Sequence, residues 1–300
     1  MSTWPPSLEQ LRGTVGVWTF AQETVNADRS GDIAAELESR GYSAMWLPEA
    51  WGREAFTNAG LMLSATSSMI IATGIANIWA RDAVAAHNAA KTLNAAYGNR
   101  FVLGLGVSHR PLVERLRGHE YATPVAAMRE YLNAMDAAPM RAPESEQRYA
   151  RVIAALGPKM LDVGATLADG VHPYLVTPEH TARARSAVGD KFIGVEQAVV
   201  LGQSREEYLN RAHAHLDFYT GLENYQNSWR RLGFGDADFV RGGSERLCDA
   251  LVVHGDENVV MERINQHRLA GADHVCLQVL GDETNNPPFD EWRRLASLNQ

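Results

Sequence analysis

The sequence predicts an α/β fold, a (β/α)8 TIM barrel with a helical insertion between its seventh and eighth strands. Three observations carry that expectation. The chain has 300 residues, an ordinary length for one α/β barrel, so residues 1–300 are read as a single domain. Five amphipathic helical segments end at a glycine followed by an apolar strand: Gly41 before 42–47, Gly98 before 101–105, Gly170 before 171–176, Gly189 before 192–200 and Gly271 before 274–280. Several of these strands are near-continuous apolar runs, as strands covered on both faces are.

The alternation of helix and strand demands a parallel sheet. Strands at 15–20, 70–75 and 152–156 fill the gaps and bring the number to eight, enough to close a barrel. Met128, Tyr131, Leu132 and Met135 recur at helical spacing, and so do Tyr208, Leu209, Ala212 and Leu216. Ser204 with Glu207 reads as a capping box, and Thr177 before Pro178 places a capping residue ahead of a proline at the first helical position. The long interval between the seventh and eighth strands is expected to hold helices over 204–219, 222–233 and 244–254, broken at Gly233 and Gly235. The polar, proline-punctuated stretch 137–150 reads as the loop between the two barrel halves.

Composition narrows the function. Hydrophobic residues are 45 % and charged residues 21 %, a globular profile. A formal charge of −8 argues against nucleic acid as a partner, since phosphate backbones need a basic face. No stretch is apolar enough for a membrane span, and the N-terminal residues lack a signal-peptide pattern. Cys248 and Cys276 have neither metal nor redox spacing and read as reduced thiols of a cytoplasmic protein. His213 and His215 are two apart on a helix and point to different faces, so they do not chelate one ion; no metal site is expected. His87 and His267 read as surface or packing residues.

Active sites of this fold lie at the C-terminal ends of the strands. That rule selects Trp18 to Phe20, Pro48 to Trp51, Gly74 to Asn77, Gly106 to His109, Gly157 to Lys159, 174–177, Gly202 with Gln203, and 279–281. Glu49, flanked in sequence by Trp46 and Trp51, is a candidate for proton exchange if its carboxyl sits among aromatic rings; the competing reading is a cap or an arginine pair. The run Gly104, Leu105, Gly106, Val107, Ser108, His109 is a poor dinucleotide fingerprint, because His109 stands where the third glycine belongs. As a strand end it offers close backbone approach at Gly106 and hydrogen-bond donors at Ser108 and His109, or simply a tight turn. Gly157, Pro158 and Lys159 open a helix whose free N–H groups suit a phosphate, although such helix starts also occur without a ligand.

The runs GYSAMWLPEAWGREAF, IIATGIANIWARD and NRFVLGLGVSH resemble the first half of the luciferase-like superfamily, and within it the F420-dependent oxidoreductases of actinobacteria. AALGPKMLDVGATLADGVHPYLVTPEHTARAR and AGADHVCLQVL extend the resemblance through the chain. The resemblance implies a homodimeric barrel acting on a small molecule, with deazaflavin F420, or alternatively FMN, across the strand ends. It implies a non-proline cis peptide at Gly74-Ile75 cradling the cofactor's middle ring, and Glu49, Asn77 and the loops 106–109 and 157–159 around the cofactor. Glu49 and His109 are the implied catalytic candidates, with His109 as a proton donor, and Trp18, Phe20 and Trp51 the apolar substrate walls. Some members carry Asp-His after the second strand with His as base; here the pair is Glu49-Ala50, which disfavours a sugar-phosphate substrate. Arg110, Lys159, Arg183 and Arg185 are candidates for F420's polyglutamate tail. Two rival readings follow: an FMN monooxygenase using O2 with a partner reductase, and a non-catalytic flavin-binding barrel.

Overall fold

The computed structural model describes residues 4–143, 145–281 and 286–299. Its strands are β1 (Thr14–Trp18), β2 (Ala44–Leu47), β3 (Ile70–Thr73), β4 (Ala76–Asn77), β5 (Phe101–Gly106), β6 (Ala150–Ile153), β7 (Gly170–Val171), β8 (Phe192–Leu201), β9 (Val252–Gly255) and β10 (His274–Val279). All pairings are parallel, in the order β10-β1-β2-β3-β5-β6-β7-β8, and β8 pairs with β10 over Gly194–Val199 and His274–Val279, which closes the barrel. The eight expected strands are the eight staves. The barrel closes because each stave is followed by a helix that covers its outer face and returns the chain to the same end.

Gly41, Gly98, Gly189 and Gly271 take positive φ after their helices, as the junction reading requires. Gly170 differs. It is the first residue of β7, and a Cβ there would lie 2.2 Å from Phe192 O, so glycine is needed for strand approach. The ladder of β7 is shorter than the expected 171–176 because Pro173 has no N–H to donate and Leu175 turns to φ 53°.

Inside the barrel, Trp46, Ile70, Val102, Val152 and Phe192 pack together, and the N-terminal helix Pro6–Glu9 and the turn after it close the lower mouth with Leu8 and Leu11. Both leucines are fully buried. The insertion holds helices Arg205–Leu216, Glu223–Arg231 and Glu245–Leu251, shorter than expected. The expected helix over 244–254 stops at Leu251, and Val252–Gly255 is instead a strand beside the C-terminal half of β8. β-Branched Val252 and Val253 favour that change. The insertion has its own core, in which Trp229, Tyr208 and Leu216 pack over Val200 and Leu175. Ser204 accepts from Glu207 N, half of the expected capping box, while the Glu207 carboxylate turns to Arg211; Thr177 makes no side-chain cap bond. Among the described residues no helix is long and apolar enough to cross a membrane.

Candidate active site

A cavity of about 540 Å³ opens at the C-terminal ends of the staves, within the range of small-molecule sites. The end of β1 contributes Trp18 and Phe20, that of β2 Glu49 and Trp51, and the bend between β3 and β4 contributes Gly74 and Ile75. β5 and its loop supply Gly106, Val107, Ser108 and His109, and the segment after β6 supplies Gly157, Pro158 and Lys159. The cavity thus brings together the expected catalytic, cofactor and substrate-wall residues with the exception of Asn77. Asn77 does not line it: its buried side chain accepts from Trp79 N at 3.0 Å and shapes the bend. Among the described residues, Gly202, Gln203 and 279–281 do not line the wall. Phe218, Tyr219, Asn224 and Tyr225 of the insertion stand there instead.

The floor is built around Gly74. The peptide between Gly74 and Ile75 is cis, at the position the resemblance implies. Gly74 O accepts from Trp18 Nε1 at 2.9 Å, and Gly74 N donates to Leu47 O at 2.7 Å. A Cβ on Gly74 would lie 2.7 Å from Trp18 Nε1 and 3.0 Å from His172 Nε2, and one on Gly106 would meet the Ile75 side chain at 2.4 Å. Gly106 therefore makes room for Ile75 as well as exposing its own backbone. His172, beneath this floor, stacks on Trp46 with ring centroids 4.3 Å apart. Its Nδ1 donates to Gly194 O at 2.8 Å, which fixes the tautomer because a carbonyl can only accept, and its buried Nε2 has no protein partner. Burial holds this imidazole neutral, with its pKa lowered to about 4.

Glu49 is not a carboxyl among aromatic rings. Trp46 points into the barrel and is fully buried, while Trp51 is 70 % exposed. The Glu49 carboxylate takes both arms of Arg81, one at 3.0 Å from Arg81 Nη1, and also accepts from Asn77 N at 2.7 Å and Ala55 N at 3.3 Å. Every good acceptor position is used, so the arginine-pair reading prevails over the proton-exchange one. The sequence carried the signal in Arg81, which follows β4 four residues beyond Asn77.

His109 sits in an aromatic box, its ring centroid 5.7 Å from both Phe218 and Tyr225. Burial lowers its pKa to about 4, which favours the neutral imidazole with one N–H to offer the cavity. The preceding Ser108 has φ 54°, a left-handed conformation uncommon outside glycine and asparagine, and its carbonyl accepts from Tyr121 Oη at 3.2 Å. Across the cavity Tyr219 donates to Tyr174 Oη at 3.2 Å, and Tyr174 donates to Gln278 Oε1 at 2.8 Å. Sequence reasoning placed Tyr174 at a strand end but missed Tyr219, because the orientation of an inserted helix cannot be read from its own periodicity.

The far end is basic. Lys159 and Arg231 line the cavity, the latter with Nη2 3.7 Å from the position of a Gly157 Cβ. Arg183 Nη1 donates to Arg231 O at 2.5 Å. Among the described residues none of these three has a carboxylate within ion-pair distance, whereas most other arginines do. The guanidinium of Arg183 pushes the Arg231 pKa down further, after burial. Of the four tail candidates Lys159 lines the cavity; Arg183 stands behind Arg231, Arg110 pairs with Glu114 and lies over the Tyr121 ring, and Arg185 is locked between Gly271 O and Asp273.

Comparison with known proteins agrees with this architecture. A Mycobacterium tuberculosis protein named as a coenzyme F420-dependent oxidoreductase is 34 % identical over 102 residues, 34 % of this chain and 29 % of that one. The 5,10-methylenetetrahydromethanopterin reductase of Methanolobus tindarius is 26 % identical over 276 residues, 85 % of this chain and 77 % of its own. Among solved structures, an F420-dependent secondary alcohol dehydrogenase with an F420-acetone adduct superposes with TM-score 0.73 at 13 % identity, covering 96 % of this chain and 98 % of that one. The oxygenating component of the 3,6-diketocamphane monooxygenase of Pseudomonas putida, bound to FMN, superposes with TM-score 0.68 at 14 % identity, covering 96 % of each chain. At such identities the structures speak for the fold. The family model for luciferase-like monooxygenases matches residues 12–274, and the chain belongs to that family of oxidoreductases.

Proposed function

We propose that this protein is an F420-dependent oxidoreductase that moves a hydride between the deazaflavin and a small, uncharged organic substrate. The observation that carries the choice of F420 is the pair of cations without a carboxylate partner that line one end of the cavity, Lys159 and Arg231, with Arg183 behind Arg231, beside the N-terminus of the helix Pro158–Leu167. One phosphate of FMN needs fewer charges than a phosphate followed by a chain of glutamates. The names of the two relatives support the same reading.

The residues fit such a cofactor. The Gly74 floor has no room for a side chain, and an unpartnered acceptor, His172 Nε2, lies beneath it. F420, when bound, supplies a two-electron hydride donor or acceptor. Val107, Ser108 and the 157–159 loop would hold it, with Glu49 and Asn77 keeping the bend beneath it in shape. Trp18, Phe20 and Trp51 would exclude water and flank an apolar substrate. Glu49 is thus assigned a positioning role. Neutral His109 would contribute a hydrogen bond without a formal charge. The homodimer and the cytoplasmic setting belong to the same proposal, and sedimentation of the purified protein tests the former.

Side-by-side equilibrium titration with F420 and FMN, followed by fluorescence, decides the cofactor. Selective F420 binding is expected. Tight FMN binding without F420 binding would transfer the protein to the oxygen-using reading, with oxygen uptake as the next assay.

A further inference from the structure

The insertion brings two phenols to the cavity, Tyr219 and Tyr225, and it is Tyr219 whose hydroxyl is hydrogen-bonded to the barrel. Tyr219, on the short helical turn Tyr219–Gly221, lines the cavity and donates to Tyr174 Oη at 3.2 Å. Tyr174 in turn donates to Gln278 Oε1 at 2.8 Å and lies 3.4 Å from His215 Nε2. The chain therefore runs from the cavity through two phenols to a side-chain amide and an imidazole, with one end on the barrel and the other on the helix Arg205–Leu216. Tyr174 is also tied to the floor, its ring centroid 5.0 Å from that of Trp18, whose Nε1 holds Gly74 O. Glu49 is committed to Arg81, and His109 is packed among aromatic rings without a hydrogen-bonded chain behind its ring such as the one behind Tyr219.

We propose that Tyr219 binds the reacting oxygen of the substrate and exchanges its proton, with Tyr174 as the positioning residue behind it. The substrate class is then an uncharged ketone, aldehyde or alcohol on an apolar or aromatic body, suited to the rings of Trp18, Phe218 and Tyr225 around it. This rests on the hydride-transfer reading given above. In the reducing direction a hydride from the reduced deazaflavin joins the carbonyl carbon and leaves that cofactor oxidised. The Tyr219 proton joins the carbonyl oxygen, so C=O becomes CH–OH. Tyr219 regains its proton from Tyr174, and Tyr174 from solvent entering the cavity that it also lines. In the oxidising direction each transfer reverses, and the hydroxyl order Tyr219 to Tyr174 to Gln278 leaves a Tyr219 oxygen lone pair to receive the substrate O–H. Burial raises both phenols above their ordinary pKa, so they stay protonated until the substrate oxygen takes the proton.

The test uses the full chain, acetophenone as the ketone probe, and the variants Tyr219→Phe and Tyr174→Phe, which keep both rings. Calorimetric titration of acetophenone into cofactor-free protein is expected to show about tenfold weaker binding for Tyr219→Phe, the loss of one hydrogen bond. Binding by Tyr174→Phe stays within about twofold of wild type by the same reasoning, since it does not touch the probe. With F420H2 bound, kcat is expected to fall about 100-fold in Tyr219→Phe and about tenfold in Tyr174→Phe, with smaller changes in KM. Equal acetophenone affinity in wild type and Tyr219→Phe, including no binding by either, overturns the proposal, as does unchanged kcat in both variants. F420 titration of the wild type is read separately: its failure sinks the cofactor reading, while the acetophenone binding still decides on Tyr219.

Discussion

The Glu49 carboxylate and the Arg81 guanidinium form a two-armed ion pair at the end of β2, with Glu49 4 % and Arg81 11 % exposed. The same carboxylate receives Asn77 N, so it ties β2 to the bend that carries Gly74 and Ile75. Glu49→Gln keeps the shape and removes the charge, leaving Arg81 with Glu54 alone, at 2.7 Å. Breaking a buried pair from one side typically costs about 3 kcal/mol. Denaturant unfolding is expected to show a loss of that order; an unchanged midpoint would return Glu49 to the proton-exchange role.

Gly74→Ala tests the floor. Its Cβ would press on Trp18 Nε1 and His172 Nε2, both held by hydrogen bonds to backbone carbonyls. Neither ring is a flexible chain end, so the bend must shift. F420 affinity is expected to fall at least about tenfold, with an overpacking penalty of about 1–3 kcal/mol in stability. Wild-type affinity in the fluorescence titration would mean that the cofactor does not rest on this floor.

Arg231→Ala removes the cation nearest Gly157. F420 binding is expected to weaken about tenfold at low salt, with the difference from wild type shrinking as KCl is raised from about 50 to 500 mM. FMN binding, measured in parallel, is expected to change less. Equal losses for both ligands would argue against a polyanionic tail at this end.

Stability is expected to fall as pH drops from about 6.5 towards 4. Burial lowers the pKa of His109, His172, His180 and His215 to about 4 and of His267 and His274 to about 3. In that window the unfolded chain binds protons that the folded chain refuses, so each imidazole removes stability as pH falls, by up to about 1.4 kcal/mol per pH unit. Glu196 opposes them. Burial raises its pKa to about 8, so between that value and the ordinary carboxyl range the folded state holds the extra proton, and stability rises as pH falls. Six imidazoles outweigh one carboxyl. Guanidinium midpoints at pH 7 and pH 5 check the sign, and a higher midpoint at pH 5 would refute it.

Much of the barrel was legible because its signals are local. Gly41 and Gly271 mark helix ends by their freedom at positive φ, and the runs at 101–105 and 192–200 announce strands covered on both faces. The strand ends then located the cavity, because a parallel barrel puts all of them on one rim. The misreading at 244–254 has a local cause as well: a helical stripe runs without a break into Val252 and Val253, and only the open side of β8 makes those residues a strand.

The sequence alone determined that the chain is a (β/α)8 barrel, where its rim lies, and which segments reach it. Periodicity, glycine placement and strand order are properties of the chain. Tertiary structure decided what each rim side chain does. Arg81 folds back onto the Glu49 carboxylate, and Phe218 and Tyr225 arrive from the insertion to pack against the His109 ring. Tyr219 became a candidate acid-base group because a turn far along the chain sets it against Tyr174. Charge state and hydrogen bonding depend on atoms within a few ångströms, and in this protein those atoms come from residues far apart in sequence.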